Sequence, residues 1–424
     1  MAGIPIIMEN GLSEIANAET MHVWKKYDGS FEFVAYPGVT WMAEGNLADD
    51  RSMRVIVSGE TGYGEGGNEP VLFIRKDGVR VKHRIVKEPL PKPDAKRNMP
   101  DATGEESALD DANKRYTYFF WTWVDRYGYE SPVSEPSEEV VYNDGDTISI
   151  SLKDAEDPEV QIKFPEGAAI VRVYKVVTGT SEGRIQFVKE FLVNESFVDS
   201  ISFAVKDEDA GEIIPDIVAP PTDLVNILKV PGNYYVGYSV SRPKTVMFSA
   251  VDFLYSWPDD YRYDIDDNIV ALAVTSNTVF ALTDGWPFVL SGTGPDTMTV
   301  SKLAGPAACV SPRSVCVFRN AVYYASNQGL MTIYNSADAG TVCANLTDKI
   351  FTKEQWQAKN PETCVMGQYD GALFLFFTHR DGTHEALTID LTENVDSVTT
   401  NDEVAKCLCV DNKTDTMYFV REGV

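Results

Sequence analysis

The sequence predicts an all-β chain: a β-propeller with an inserted β-sandwich. Three observations lead there. Apolar residues recur with period two through most of the chain, in runs rich in Val, Tyr, Phe and Thr that are parted by Gly, Asn and Asp. Helical patterning is confined to two short stretches, LSEIANAE (12–19) and TKEQWQAK (352–359). From about residue 224 one unit recurs: a hydrophobic strand, a tight Asn/Asp turn, an aromatic-rich strand, and a Gly or polar turn.

The copies align on their turns. VPGNYYVGYSV carries Asn233, VTSNTVFALTDG carries Asn277, VFRNAVYYASNQG carries Asn320, and GQYDGALFLFFTHRDG carries Asp370. These four are the expected structural turn residues. They are spaced by 44, 43 and 50 residues, and CVDNKTDTMYFVREGV is a weaker fifth copy. A period near forty with several short strands per unit is what propeller blades require. One such sheet alone exposes an apolar face and two edges, and packing the sheets about an axis buries the faces. The last copy holds a single hairpin, so the blades of 224–424 need strands from elsewhere to close the ring. The N-terminal strands within 1–90 are the expected donors: HVWKKYDGSFEFVAY (22–36), RVIVSG (54–59) and VLFIRKDGVRVKHRIV (71–86).

Two segments read as linkers, 88–114 and 207–223, because both are rich in Pro and charge. Between them lies a block of sandwich size, 112–215. It opens with RYTYFFWTWVDRYGYESPVSEPSEEV. As one strand this would put Tyr116, Tyr118, Phe120 and Thr122 on one face and Phe119, Trp121 and Trp123 on the other, apolar on both sides at its centre. DTISISL, AIVRVYKVV and RIQFVKEFLV supply further strands. The block resembles a fibronectin type III module, a class that binds or spaces more than it catalyses.

Bulk numbers exclude several classes. A chain of 424 residues with 44% hydrophobic content holds two or three domains. No run of eighteen apolar residues occurs, so no membrane insertion is expected. The N-terminus lacks the basic and apolar regions of a secretion signal, which makes the sequons at Asn194, Asn345 and Asn412 chance matches. The six cysteines contain no C-x-x-C pair and read as reduced, buried thiols. His379 and His384 flank one hairpin without a clear third metal ligand. The net charge of −27 is the opposite of a nucleic-acid binder's. The acid is uneven: residues 101–220 hold 26 Asp/Glu against 10 Lys/Arg, whereas 71–100 hold nine Lys/Arg against three Asp/Glu. That basic strand region presents Arg75, Lys76, Arg80, Lys82, Arg84 and Lys87, which reads as a wet edge or a candidate subunit interface.

WPDDYRYDIDDN (257–268) concentrates five aspartates between aromatic residues. Its spacing fits neither a calcium loop nor a carboxylate pair for glycoside hydrolysis, so a solvated loop between blades is expected. Gly62, Gly64 and Gly67 match the dinucleotide fingerprint in form, but a strand follows in place of a helix, and a flexible loop is expected. No nucleophile elbow, P-loop or H-E-x-x-H motif occurs. The expectation is a non-enzyme with no catalytic residues, cofactor or metal.

Four motifs in order, SWPDDYRYDI, LTDGWPFVLSGTGPDTMTVSKL, ACVSPRSVCVFRNAVYYASNQGLMTIY and IFTKEQWQ, are similar to the propeller region of short-tailed bacteriophage tail nozzle or hub proteins, also called tail tubular proteins. The similarity covers about 225–380, and the sandwich resembles a module inserted in some of these proteins. The resemblance implies a structural virion protein, assembled in the host cytoplasm, that forms a six-fold homo-oligomeric ring below the portal or adaptor. Viral DNA would pass through without specific binding, and acidic walls would repel its phosphates. The basic strand region and the acidic sandwich are candidates for the two complementary patches a head-to-tail ring needs. The alternative is a carbohydrate-binding propeller for adhesion, with Trp257, Trp286 and Tyr263 as its aromatic platform.

Overall fold

The computed structural model describes residues 18–45, 51–64, 66–76, 79–98, 108–153, 162–165, 167–177, 184–193, 199–206, 211–214, 216–305, 307–336, 340–391, 398–411, 414 and 416–421, with the side chains of 76–80 not described. The stretch 12–17 of the first helix expectation lies outside these residues. The chain divides into two compact units, Met1–Arg84 with Pro220–Val424, and Ile85–Ala219.

The first unit begins with a two-stranded hairpin, β1 (Thr20–Lys25) and β2 (Phe31–Tyr36). A four-stranded antiparallel sheet follows: β3 (Thr40–Glu44), β4 (Val55–Gly59), β5 (Val71–Lys76) and β6 (Val79–Arg84), hydrogen-bonded in that order. Val55, Val57, Val71 and Phe73 alternate with Ile56, Leu72 and Ile74, and all are buried, so the inner strands are covered on both faces.

The second unit is the sandwich. Its strands are β7 (Asp94–Arg97), β8 (Lys114–Thr117), β9 (Phe119–Asp125), β10 (Val140–Asn143), β11 (Thr147–Ser151), β12 (Ala168–Val177), β13 (Arg184–Leu192) and β14 (Ser200–Ala204). One sheet has the order β14-β11-β7 and the other β13-β12-β9, with β10 paired to β8. Phe119, Trp121, Trp123, Ile148, Ile150, Val171, Val173 and Phe203 fill the space between. The structure corrects two expectations. Part of the presumed linker 88–114 belongs to the sandwich: Leu90 and Ala95 join its core, and Arg97 pairs with Asp146 at 2.6 Å. The stretch 114–125 is two strands broken at Tyr118, which leaves Tyr116 and Tyr118 exposed. The Pro/Ser-rich segment after β9 is zipped to it. Ser131, Ser134 and Ser137 donate their N–H groups to Trp123 O, Trp121 O and Phe119 O at 2.9, 3.1 and 2.9 Å. Each Oγ accepts the N–H of the same β9 residue, at 3.1, 3.1 and 3.0 Å. Serine at every third position lets a chain that proline keeps out of a ladder satisfy a strand edge.

Residues 220–421 return to the first unit as four more four-stranded sheets and a final hairpin. These are β15 (Leu224–Val230), β16 (Tyr234–Ser239), β17 (Arg242–Phe248) and β18 (Arg262–Asp264); β19 (Ile269–Thr275), β20 (Thr278–Thr283), β21 (Phe288–Ser291) and β22 (Thr299–Lys302); β23 (Cys316–Phe318), β24 (Ala321–Ser326), β25 (Gly329–Ser336) and β26 (Gly340–Asn345); β27 (Val365–Tyr369), β28 (Ala372–Thr378), β29 (His384–Asp390) and β30 (Thr399–Asn401); and β31 (Cys407–Asp411) with β32 (Thr416–Val420). Among the described residues one α-helix, α1 (Lys353–Ala358), starts in a capping box in which Thr352 Oγ1 and the Gln355 side chain each bond the other's backbone N–H.

Seven sheets among the described residues stack face to face in a closed ring, and the fold is a β-propeller. We number the blades in ring order from β1–β2, with β3–β6 as the second and β31–β32 as the seventh. Apolar clusters join the first to the second (Trp24, Val34, Val57, Phe73), the third to the fourth, the fourth to the fifth, and the fifth to the sixth. Ser58 Oγ accepts the Ile227 N–H at 2.9 Å and Tyr235 donates to Glu44 O at 2.7 Å, which pins the second blade to the third. Phe376 stacks on Phe419 between the sixth and seventh. A Cβ at Gly367 would lie 2.3 Å from Leu408 Cδ1, so a side chain there would make the tip of Leu408 move. The seventh and first blades close the ring through Met21, Phe33, Cys407, Tyr418 and Val420.

The expectation named the donor strands and left the manner of closure open. The N-terminal strands do not complete the last sheet edge to edge. They form two blades of their own, and the first meets the seventh by side-chain stacking and by the Lys25–Asp411 ion pair. The outcome has a physical reason: β1–β2 is apolar on both faces, with Met21 and Phe33 turned to one neighbour and Trp24 and Val34 to the other, so it needs sheets on both sides.

Candidate functional site: the axial cavity and the basic outer strand

The first strands of the first, second, fifth, sixth and seventh blades line an axial cavity of about 900 Å³, whose wall includes His22, Lys25, Trp41, Arg54, Arg313 and Asp411. A smaller cavity of about 410 Å³ shares Trp41, Met42, Pro312, Val315 and Val317 with it and reaches Leu228 and Leu272. The sheets stack face to face, so alternate side chains of each first strand turn to the two neighbouring blades, and residues of both parities border the cavity along the strand edge. The wall is therefore mixed, with aliphatic and aromatic groups between a few charges. Asp411 is almost fully buried, bound by Lys25 and by Thr414 Oγ1 at 2.9 Å. Arg313 donates to Lys406 O at 3.3 Å. His22 lies 2.9 Å from Thr40 Oγ1, and its position inside the ring pushes its pKa down to about 4. Its edge is half-buried, in contact with the cavity, so water offsets part of that penalty.

The cysteines are free thiols. Burial pushes Cys309 and Cys316 up to about 12 and Cys407 up to about 11, which keeps them protonated and poorly nucleophilic. Among the described residues no three His, Cys, Asp or Glu side chains come together to hold a metal. His379 Nε2 lies 3.2 Å from Glu385 Oε2, which also takes the Lys359 ammonium at 2.8 Å, whereas His384 turns to Thr378 Oγ1 at 3.3 Å. No helix among the described residues is long and apolar enough to cross a membrane.

The basic stretch does not form one patch. β6 is the outer strand of the second blade, and Lys82 and Arg84 are exposed on it; Arg84 pairs with buried Glu69 at 2.5 Å. The side chains of Lys76 and Arg80 lie outside the described residues. Arg75 leaves the expected patch: its side chain is 8% exposed, pairs with Glu32 at 2.5 Å, and lies 4.1 Å from the Trp24 ring centroid. β5 is an inner strand with sheets on both faces, and a charge there has to be buried and paired. Lys87 also leaves it, because it is buried inside the sandwich unit against Asp125 at 2.7 Å.

Three of the four expected turn residues adopt left-handed backbone: Asn233 (φ 68°), Asn320 (φ 62°) and Asp370 (φ 47°). In the second copy Asn277 shares a two-residue turn with Ser276. Thr275 pairs with Thr278, and Ser276 (φ 49°) takes the left-handed position rather than Asn277. Ser276 Oγ donates to Asn320 Oδ1 at 2.9 Å, so turns of neighbouring blades are tied.

The stretch WPDDYRYDIDDN is more than a connection between blades. It contains β18, the outermost strand of the third blade. Trp257 is fully buried, with Nε1 donating to Leu254 O at 2.9 Å, so it cannot serve as a surface platform for sugar. Tyr263 donates to Pro295 O at 2.9 Å in the fourth blade, Asp264 accepts from Thr245 at 2.6 Å, and Asp267 accepts the Trp286 N–H at 3.0 Å. These carboxylates and rings tie strands and blades together. In the glycine loop, Gly62 N–H donates to Gly67 O at 2.8 Å, and Thr61 Oγ1 donates to Glu69 O at 2.9 Å.

Sequence reasoning passed over Asn226. It is fully buried with φ 52° at a bulge in β15, and its Oδ1 accepts the Leu272 N–H of the next blade at 2.6 Å. A lone Asn inside DLVNILKV, where alternation breaks, is the available signal.

No family model matches the chain, and no curated protein matches it. Among solved structures it is similar to the WD40 domain of Toxoplasma gondii coronin at 9% identity, covering 60% of this chain and 63% of that one, with a TM-score of 0.34. It is also similar to AztD from Citrobacter koseri at 11% identity, covering 72% and 76%, with a TM-score of 0.32. A quinoprotein alcohol dehydrogenase-like protein from Bacteroides thetaiotaomicron matches at 9% identity over 77% and 91%, with a TM-score of 0.32.

Proposed function

We propose that this chain is a structural subunit of a phage tail, forming a multi-copy ring of the nozzle or hub kind through which DNA passes. The observation that carries the reading is what the four ordered motifs do in the fold. Three of them make joints between blades. SWPDDYRYDI brings β18 and Tyr263 against the fourth blade. In ACVSPRSVCVF, Ser311 Oγ donates to Cys364 O at 2.8 Å, at the start of the sixth blade. In IFTKEQWQ, Trp356 is fully buried and donates to Ser326 O at 2.6 Å. Residues that serve rigidity in this way suit a part that carries mechanical force.

In this reading the DNA path lies between copies and not along the propeller axis. Spread over one helical turn of about 34 Å, a 900 Å³ cavity is a cylinder of about 3 Å radius, whereas the major groove alone is about 12 Å wide. The net charge of −27 suits a conduit that must not hold phosphate. The candidate positive patch for subunit contact narrows to the outer strand β6, with Lys82 and Arg84.

The test is imaging of the purified chain, alone and mixed with tail partners, with DNA binding followed at low salt. Ring particles that do not retain DNA are expected. Lys82→Glu should reduce the ring fraction at low salt, and its difference from the unmodified chain should shrink as salt rises and screens the charges. Particles that stay single in every mixture, or rings that bind DNA tightly and release it with salt, would overturn the reading.

A further inference from the structure

Lys87 and Asp125 form the driest lysine–carboxylate pair among the described residues: their side chains are 3% and 0% exposed and Nζ lies 2.7 Å from Oδ2. The pair is built into the sandwich unit. Three features around it go beyond a plain ion pair. The indole of Trp123 covers the ammonium, with its centroid 4.3 Å from Nζ, and Trp123 Nε1 donates to Glu88 O at 2.9 Å, which holds the Lys87 backbone in place. The other carboxylate oxygen, Oδ1, accepts two backbone N–H groups, from Tyr127 at 2.8 Å and Tyr129 at 3.0 Å. Burial lowers the lysine's pKa, and the attraction of Asp125 offsets only part of that.

We propose that Lys87 and Asp125 are the site of a self-formed isopeptide bond. In a dry setting a neutral amine with a neutral acid competes with the ion pair, because the cost of burying charge is removed from both groups. The proton passes from Nζ to Oδ2 across the existing contact. The amine lone pair then attacks Cγ, and the charge that develops on Oδ1 falls on the Tyr127 and Tyr129 N–H groups, which act as an oxyanion hole. The Cγ–Oδ2 bond breaks, Oδ2 leaves as water with the second amine proton, and an Nζ–Cγ amide remains. One water is lost per bond, and no oxidant or co-reactant is needed. Holding both groups in contact makes the step intramolecular, which is worth a very large effective concentration. The product amide oxygen keeps both backbone hydrogen bonds.

The bond would close a 38-residue loop. It ties the first turn of the sandwich unit to the end of β9, the strand at the centre of its apolar core. Tension entering at residue 87 would then reach β9 directly and bypass the short edge strand β7.

The experiment is the intact mass of the full chain under denaturing conditions, followed by a tryptic map. The expected result is a mass one water below that of the sequence, with a branched peptide joining the segments that carry Lys87 and Asp125. Lys87→Arg keeps the charge pair but cannot form the amide, and should return the full mass. Asp125→Asn should lose ammonia in place of water if it reacts. A full sequence mass for the unmodified chain overturns the proposal and leaves an ion pair only. A one-water loss that persists in Lys87→Arg, or that maps to an Asp-Gly succinimide such as Asp370-Gly371, overturns it equally.

Discussion

Replacing Phe33 by alanine should loosen a strand pair nearly four hundred residues away. Phe33 sits on β2 in the first blade, with ring contacts to Phe31 at 5.4 Å and to Tyr418 of the seventh blade at 5.0 Å. Each aromatic pair contributes about 0.5–1.5 kcal/mol beyond burial. A fully buried Phe→Ala change costs about 3–5 kcal/mol, and this half-buried ring should lose about half of that. The total is about 3 kcal/mol, or about a hundred-fold in the local opening equilibrium at 1.4 kcal/mol per factor of ten. Amide hydrogen exchange of the native full chain reads this directly, because blades open as local units. Exchange should accelerate in Thr20–Tyr36 and, by a similar factor, in Cys407–Val420. The sandwich strands β11 and β12 should be unchanged. Acceleration confined to Thr20–Tyr36 would refute the reasoning, since the seventh blade would then not depend on the first.

Two further outcomes follow. His22 titrates near 6.5 when unfolded and at about 4 when folded, so the unfolded state takes the proton first. Its stabilising contribution is present above pH 6.5 and is lost as the pH falls toward 4, by at most about 3 kcal/mol because the cavity admits some water. The denaturant midpoint of His22→Gln should therefore fall less steeply than wild type between pH 6.5 and 4, and identical slopes would reject the assignment. In the turns, Asn320→Ala should cost about 1–2 kcal/mol for its left-handed backbone and its bond to Ser276, whereas Asn277→Ala should cost under about 0.5 kcal/mol. Thermal midpoints of the two variants decide this.

Much of the propeller was legible in the sequence because its inner strands carry their pattern openly. β16, β20, β24 and β28 are aromatic-rich and follow tight turns, so both strand and turn could be read from residues alone. The outer strands could not. RYD, TVSK and TTN are short and largely exposed, and the sequence therefore shows no alternation at β18, β22 and β30. That is why an outer strand inside WPDDYRYDIDDN read as a loop. Arg75 and Lys87 misled for a related reason. A cation in an alternating run is read as solvent-facing, but β5 has a sheet on each face, and Lys87 has a buried carboxylate waiting 38 residues along the chain. The manner of closure was hidden too. Whether a hairpin adds to a neighbour's edge or stacks on its face depends on both of its faces, and β1–β2 reveals two apolar faces only once Trp24 and Phe33 are placed.

A density map of the purified full chain that separates strands tests the ring most directly. It should resolve seven radial sheets about one axis, two of them thin and adjacent, with Lys25 beside Asp411 where the first meets the last. An open arc, with the Thr20–Tyr36 hairpin parted from Cys407–Val420 or added to its edge as a third and fourth strand, would contradict it.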